Sequence, residues 1–113
     1  MSSKSSISAN IYMTHNRIFS FTVENHGSSF VCAAVSMLVI NTINAIDKFL
    51  DVKYTLDVDE KNAIIHFESH DTFNGIKNDE LDILLNTMVL GLQDTAKNYS
   101  EDLTLNIEEV QQC

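Results

Sequence analysis

The chain has 113 residues, 44% of them hydrophobic, and a formal net charge of −9 at pH 7. This length favours one domain, residues 1–113, with a single core. The negative charge argues against a nucleic-acid-binding protein, which needs a basic stripe. Two cysteines, Cys32 and Cys113, are too few for a disulfide framework, and they favour the reducing environment of the cytoplasm.

The two ends of the chain and its longest apolar run indicate whether the protein is secreted or inserted in a membrane. Residues 1–5 are polar and predict a loose tail without an apolar signal segment. The run FVCAAVSMLVI, residues 30–40, is shorter than a bilayer span and predicts a buried core helix instead. We therefore expect no membrane segment, and Cys113 is assigned no role.

The first elements in chain order form a hairpin. Apolar and polar residues alternate over residues 7–13 and again over 19–23, which predicts two strands. His15 and Asn16 lie between them and predict a tight turn. Gly27 then breaks the pattern, and either Ser28 or Ser29 can cap the helix predicted over residues 30–49, with Ser29 preferred.

The second half of the chain predicts two more strands, a second helix and a last strand. Alternation over residues 52–58 and 63–67, around a turn at 60–62, predicts a third and a fourth strand. Residues 69–77 predict a loop, and Asn78 or Asp79 caps a second helix that ends near residues 98–100. Its apolar residues recur at helical spacing: Leu81, Leu84, Leu85, Met88 and Leu92. Residues 103–107 alternate as a last strand.

The element order is therefore strand, strand, helix, strand, strand, helix, strand. Hairpins imply a mainly antiparallel sheet, and both helices must cover one face of it to bury their apolar stripes. This predicts a two-layer α+β domain. The other sheet face would be unusually apolar if Tyr12, Ile18 and Ile64 point to it, and a dimer or a peptide would then cover that face.

The stretch ENHGSSFVCAAVS, residues 24–36, carries a possible site. His26 ends a strand, Gly27 allows a sharp turn, and Cys32 lies in the first turn of a helix. Free N–H groups and the helix dipole stabilise a thiolate there, and a neighbouring imidazole can activate it as a nucleophile. Residue statistics favour the other interpretation, a small buried cysteine and an exposed turn histidine.

The same residues resemble the ribosomal-processing cysteine protease family, Prp. VCAAVS, residues 31–36, is close to the cysteine segment of that family, and HGSSF, residues 26–30, stands where the family has its histidine and a glycine-containing loop. Length and element order are also similar, so the resemblance covers about residues 7–107. The departures are Asn25 in place of a glycine, serine in place of an aspartate before the cysteine, and a shorter loop.

The resemblance implies a cytosolic cysteine endopeptidase that works as a homodimer and needs no cofactor or metal. Members remove the N-terminal extension of bacterial large-subunit ribosomal protein number twenty-seven, so the substrate would be the N-terminal segment of that protein. Carried over by motif, Cys32 is the nucleophile and His26 the general base and acid. Ser36, one helical turn after Cys32, would support the site with Ser29 and Gly27.

Two alternatives remain open at this point. The chain can be a catalytically silent dimeric relative that binds a ribosomal or other basic peptide, or a structural dimer without a peptide partner. Elsewhere in the chain, His66 and His70 are interpreted as ordinary strand and loop histidines, because they lack zinc-ligand spacing. The acidic clusters at residues 57–60 and 101–102 are interpreted as solvated turns.

Overall fold

The computed structural model describes residues 6–24 and 29–111. The predicted residues 1–5, the histidine segment 25–28 and Cys113 lie outside this part of the chain. The elements in chain order are β1 Ile7–Thr14, β2 Arg17–Glu24, α1 Ser29–Phe49, β3 Thr55–Asp59, β4 Ile64–Glu68, α2 His70–Phe73, α3 Asp79–Asn98 and β5 Leu103–Glu109.

The strands form one five-stranded sheet in the order β3-β4-β2-β1-β5. The neighbouring pairs are antiparallel except for β1 and β5, which run parallel. A parallel pair needs a long crossover, and here the chain between β1 and β5 supplies both long helices. The predicted two-layer α+β class with a mainly antiparallel sheet is confirmed.

The turn between β1 and β2 is at the predicted residues. His15 and Asn16 have positive φ angles of 53° and 62°, as a two-residue type I′ turn requires. The register then shifts between Tyr12 and Met13 because β2 carries an extra residue there. This bulge brings Ile18 into the core, where it is 2% exposed. The expectation that Ile18 lies on the outer face is therefore wrong.

The core lies between one sheet face and the helices. Alternate residues of paired strands point to it, as in the cross-strand row formed by Ala9, Val23 and Ile65. The residues between them, such as Asn10 and Thr22, form a polar outer face. Aromatic rings fill the centre of the core: Phe67 lies 5.2 Å from Phe21 and 5.4 Å from Tyr54 between ring centroids. The buried set from sheet and helices includes Ile7, Ile11, Ile46, Leu81, Leu85, Met88 and Leu92.

Helix α1 is long and apolar enough to cross a membrane by length and composition, over Phe30–Phe49. The core helix of a soluble protein passes the same test. In this fold Val31, Val35 and Val39 are buried at 0–1% exposure, and Ile46 is fully buried. The helix therefore contributes one stripe of its surface to the core.

The segment after β4 is not the loop predicted for residues 69–77. Residues His70–Phe73 form the short helix α2, because Ser69 caps it by accepting a hydrogen bond from the backbone N–H of Thr72 at 3.3 Å. Asn78 caps α3, as predicted, by accepting from the N–H of Leu81 at 3.0 Å.

Two strand boundaries also differ from the sequence pattern. β3 begins at Thr55 rather than at residue 52, and Ala63 belongs to the turn before β4, with a φ of 55°. Single apolar residues near a strand end continue an alternating pattern whether or not the backbone is still paired, so these boundaries depend on the register with β4.

Replacing Phe67 by alanine should lower the free energy of unfolding by about 3–5 kcal/mol, since a fully buried ring is removed from between two others. Phe49→Ala is the matched control because Phe49 is 72% exposed, and its effect should stay within about 0.5 kcal/mol. Urea denaturation followed by circular dichroism measures both. Equal effects would contradict the assignment of the core.

Candidate functional site

Cys32 is the fourth residue of α1. Its thiol is free and half-buried, and the side chain packs against the edge of the hydrophobic core. The first turn of a helix has backbone N–H groups without partners inside the helix, so a thiolate or an oxyanion next to Cys32 meets hydrogen-bond donors. Position and partial exposure fit a nucleophile better than a fully buried structural cysteine.

The other predicted site residues are described only in part. His26, Gly27 and Ser28 lie outside the described residues, so the pairing of His26 with Cys32 stays a prediction. Helix α1 begins at Ser29, one residue before the predicted start, and the choice of N-cap between the two serines is not tested. Ser36 is half-buried, lies one turn after Cys32 and makes an interaction of its own.

One side of α1 faces α3. The ring of Phe30 lies 5.6 Å from that of Tyr99, just after the end of α3. A Cβ added to Gly91 of α3 would lie 2.8 Å from a methyl group of Leu38. The two helices are therefore in close contact along this side.

Another side of α1 bonds the segment that leads into β3. The hydroxyl of Tyr54 donates to the carboxylate of Asp47 at 2.8 Å, and this bond raises the pKa of Tyr54. Because residues follow each other about every 100° around a helix, Cys32 lies about 60° from Asp47 and about 120° from Leu38. The thiol is therefore turned away from the side of α1 that contacts α3, and it lies closer to the side that bonds Tyr54.

Chain connectivity identifies the end of the sheet at which α1 begins. Only four residues separate Glu24, the exposed end of β2, from Ser29, so α1 starts above this end of the sheet. Here Val23 pairs with Ile65, which pairs in turn with Val58. The first turn of α1 therefore begins near the row that contains Val58.

The core-facing side of β3 is only partly covered by the helices. Leu56 is 37% and Val58 56% exposed, and Ile65 is half-buried beside them. We call these three residues the β3 shelf. Sequence alternation assigned them to the buried face but could not show that α1 leaves them uncovered.

The reverse side of β3 is acidic. Asp57 and Asp59 alternate with the residues of the β3 shelf and point to the outer face. Asp59 accepts hydrogen bonds from the side chain and the backbone N–H of Asn62 at 2.8 and 3.1 Å, which lowers the pKa of its carboxyl group. β3 therefore carries an apolar and an acidic side.

Two histidines share one carboxylate on the outer face of the sheet. Glu68 lies 3.6 Å from Nε2 of His66 and 3.2 Å from Nδ1 of His70. His66 also bonds Thr22 at 2.7 Å, and Thr55 lies 3.0 Å from His70. Within residues 6–24 and 29–111, no three His, Cys, Asp or Glu side chains are grouped to hold a metal ion. The cluster ties β4 to its neighbours.

A second exposed apolar surface covers the outside of the two long helices. Met37 and Ile40 of α1 are 73% and 46% exposed, and Ile83 and Leu90 of α3 are 64% and 60% exposed. A groove of about 790 Å³ runs between the helices, lined by residues that include Met37, Leu38, Thr87 and Met88. We call the four exposed residues the helix patch. Sequence analysis did not identify it, although apolar residues 30, 33, 37 and 40 follow helical spacing away from the core stripe.

Comparison with known proteins gives consistent matches. The sequence profile of the family described as Cysteine protease Prp matches residues 6–104. A curated relative, the Ribosomal processing cysteine protease Prp of Staphylococcus aureus strain Mu50, is 31% identical over 81 residues, covering 72% of this chain and 73% of the relative. The protein of the same name from Bacillus subtilis strain 168 is 26% identical over 110 residues, covering 89% and 98%.

Solved structures agree with the fold. The crystal structure of Prp from S. aureus with a covalently linked product peptide superposes with a TM-score of 0.81 at 26% identity, covering 89% of this chain and 98% of that one. A Streptococcus mutans protein gives a TM-score of 0.82 at 26% identity, covering 94% and 97%. Because the family profile matches most of the chain, from the first strand to the last, the chain belongs to the Prp family and is a cysteine peptidase.

Proposed function

We propose that this peptidase removes the N-terminal extension of bacterial large-subunit ribosomal protein number twenty-seven, with Cys32 as nucleophile and His26 as general base. One observation carries the proposal. Cys32 is half-exposed in the first turn of α1 and follows His26 by six residues in the sequence. Related proteins are named for ribosomal processing, and two S. aureus structures contain peptides.

The reaction is an acyl transfer. His26 takes the proton of the Cys32 thiol, and the thiolate attacks the carbonyl carbon of the scissile bond. The N–H groups at the start of α1 stabilise the oxyanion. His26 then donates the proton to the leaving amine, and a water molecule, deprotonated by the same imidazole, releases the acyl group and restores the thiol. No step requires a metal or a cofactor.

Charge is compatible with this substrate. The chain has a net charge of −9, and ribosomal proteins have basic segments because they bind RNA. The same charge and the cysteine content support a cytoplasmic protein that binds neither nucleic acid nor membrane.

Replacing Cys32 by alanine should abolish cleavage of a synthetic peptide that spans the extension, by about a thousandfold or more, because the nucleophile is lost. The fold should be unchanged, since alanine fits in the half-buried space of the thiol. Cys113→Ala is the control and should retain full activity. Product analysis by mass spectrometry measures the rate, and undiminished cleavage by the Cys32 variant would refute the proposed mechanism.

The role of His26 can be measured without a substrate. In a Cys113→Ala background, iodoacetamide should alkylate Cys32 about tenfold faster at pH 6.5 than in the additional His26→Ala variant, because only the thiolate reacts. His66→Ala, which removes a histidine on the outer sheet face, should leave the rate unchanged. A rate independent of His26 would favour the catalytically silent relative that only binds a peptide.

We also propose that the protein is a homodimer that associates through the helix patch. Its residues are exposed and apolar, and α1 carries no charged residue before Asp47. Two copies with a charge of −9 each repel one another over most of their surface, so this apolar face is where a second copy can dock. The groove beside Met37 offers space for side chains of the partner.

Met37→Glu should shift the protein towards the monomer, because a carboxylate would be buried against an apolar partner surface. Ile76→Glu is the control, since Ile76 is 56% exposed and lies outside the helix patch. Sedimentation velocity at several concentrations gives the association state. If the Met37 variant still sediments as a dimer, the dimer interface lies elsewhere on the protein.

A further inference from the structure

The edge strand β3 is open to a further strand. Among the described strands it pairs only with β4, and all five of its residues are exposed. The backbone N–H and C=O groups along the edge of β3 that does not face β4 can therefore bond the backbone of an extended peptide. This is a common mode of peptide recognition.

We infer that the substrate polypeptide binds as an added strand along β3, with apolar side chains on the β3 shelf and basic side chains beside Asp57 and Asp59. This inference rests on the proposed function and adds the recognition surface and the chemical class of the bound segment. Side chains of paired strands share a face at opposite positions. β3 therefore binds most tightly a peptide in which apolar and basic residues alternate.

The apolar side of this match is the β3 shelf. Val58 and Leu56 face the helix layer but remain exposed, so an added strand can cover them with its own apolar side chains. Removing this surface from water supplies non-specific affinity in proportion to the area that is covered.

The basic side of the match is set by Asp57 and Asp59. Both are exposed on the outer face, where carboxylates are ionised at neutral pH. Lysine or arginine at opposite positions of the added strand gains a cross-strand charge pair, whereas glutamate there is repelled.

The position of the thiol connects this surface with catalysis. Cys32 lies about 120° around α1 from Leu38, which contacts α3. The row that contains Val58 lies at the end of the sheet where β2 ends, four residues before α1 begins. A peptide held along β3 can continue past the end of that strand towards the first turn of α1. The paired segment and the scissile bond are then neighbouring parts of one substrate.

The other edge of the sheet provides an internal control. β5 also has an exposed core-facing residue, Ile107 at 48%, and an acidic outer residue, Glu108. It lies at the far side of the sheet, in contact with α3, whereas Cys32 is turned away from that helix. A peptide on β5 would therefore be remote from the thiol.

The test measures binding in the Cys32→Ala protein, so that it does not depend on catalysis. The probe is a fluorescein-labelled decapeptide of alternating valine and lysine, followed by fluorescence anisotropy at low salt. Two comparison probes have glutamate in place of lysine, or the same residues in pairs rather than in alternation. The alternating lysine probe should bind more tightly than either comparison probe.

The variants locate the surface. Val58→Ser should weaken binding of the alternating lysine probe about fivefold through lost apolar contact, and Asp57→Lys about threefold or more through charge reversal. Ile107→Ser and Glu108→Lys make the same chemical changes on β5 and should leave binding unchanged. Circular dichroism confirms that each variant is folded, as expected for exposed positions.

Amide hydrogen exchange supplies a second readout. The probe should slow exchange of backbone N–H groups in β3 and not in β5. Three results would overturn the inference: no binding of the probe, binding that the Val58 and Asp57 substitutions leave unchanged, or slowed exchange in β5 alone.

Failure of the inference is distinguishable from failure of the proposed function. If the wild type cleaves no extension peptide but the Cys32 variant binds the probe along β3, the recognition surface stands and the protease reaction fails. If cleavage occurs and β3 variants leave both binding and cleavage unchanged, the reaction stands and the substrate binds elsewhere.

Discussion

The burial of α1 against the sheet sets the orientation of everything near the candidate site. Val31, Val35 and Val39 occupy the core stripe, and their burial fixes how the helix is rotated about its own axis. Cys32 lies about 40° around the helix from the centre of this stripe, between the directions of Val39 and Ile43. The thiol therefore packs against the core but stays partly exposed, since it lies in the first turn of the helix.

The same rotation gives α1 several distinct surfaces. One side packs closely against α3, with Leu38 next to Gly91, and the other bonds Tyr54 through Asp47. The side opposite the core is apolar and exposed at Met37. One helix thus carries the core stripe, the candidate nucleophile and the proposed dimer surface.

Charged residues are also distributed unevenly between α1 and the rest of the molecule. Apart from Asp47 and Lys48 near its end, α1 has no charged residue, whereas acidic residues are frequent on β3, in the turns and at the start of α3. Arg17 pairs with Asp82 and lies 3.9 Å from Asp79 in that first turn, which ties the start of β2 to α3. The carboxylates of β3 have no such basic partner among the described contacts, and they are available to a basic peptide.

The sequence by itself determined the order of the strands and the two long helices, the class of the fold and the position of Cys32 at a helix start. These features depend on local patterns: alternation of period two, helical spacing, the His15–Asn16 turn and the Asn78 cap. VCAAVS also pointed to the family that the comparisons establish. Local patterns failed where a neighbour decides the outcome, as for α2, which depends on the Ser69 cap, and for Ile18, which a bulge moves into the core.

Only the tertiary structure decided which apolar residues are covered. Val58 and Val23 follow the same alternating pattern and lie in one cross-strand row, but the first is 56% and the second 1% exposed. The difference arises because β3 is an edge strand beyond the reach of the helices, and strand order depends on long-range pairing that no local pattern contains. The direction of the Cys32 thiol has the same origin, since the helix rotation depends on what each side of α1 packs against.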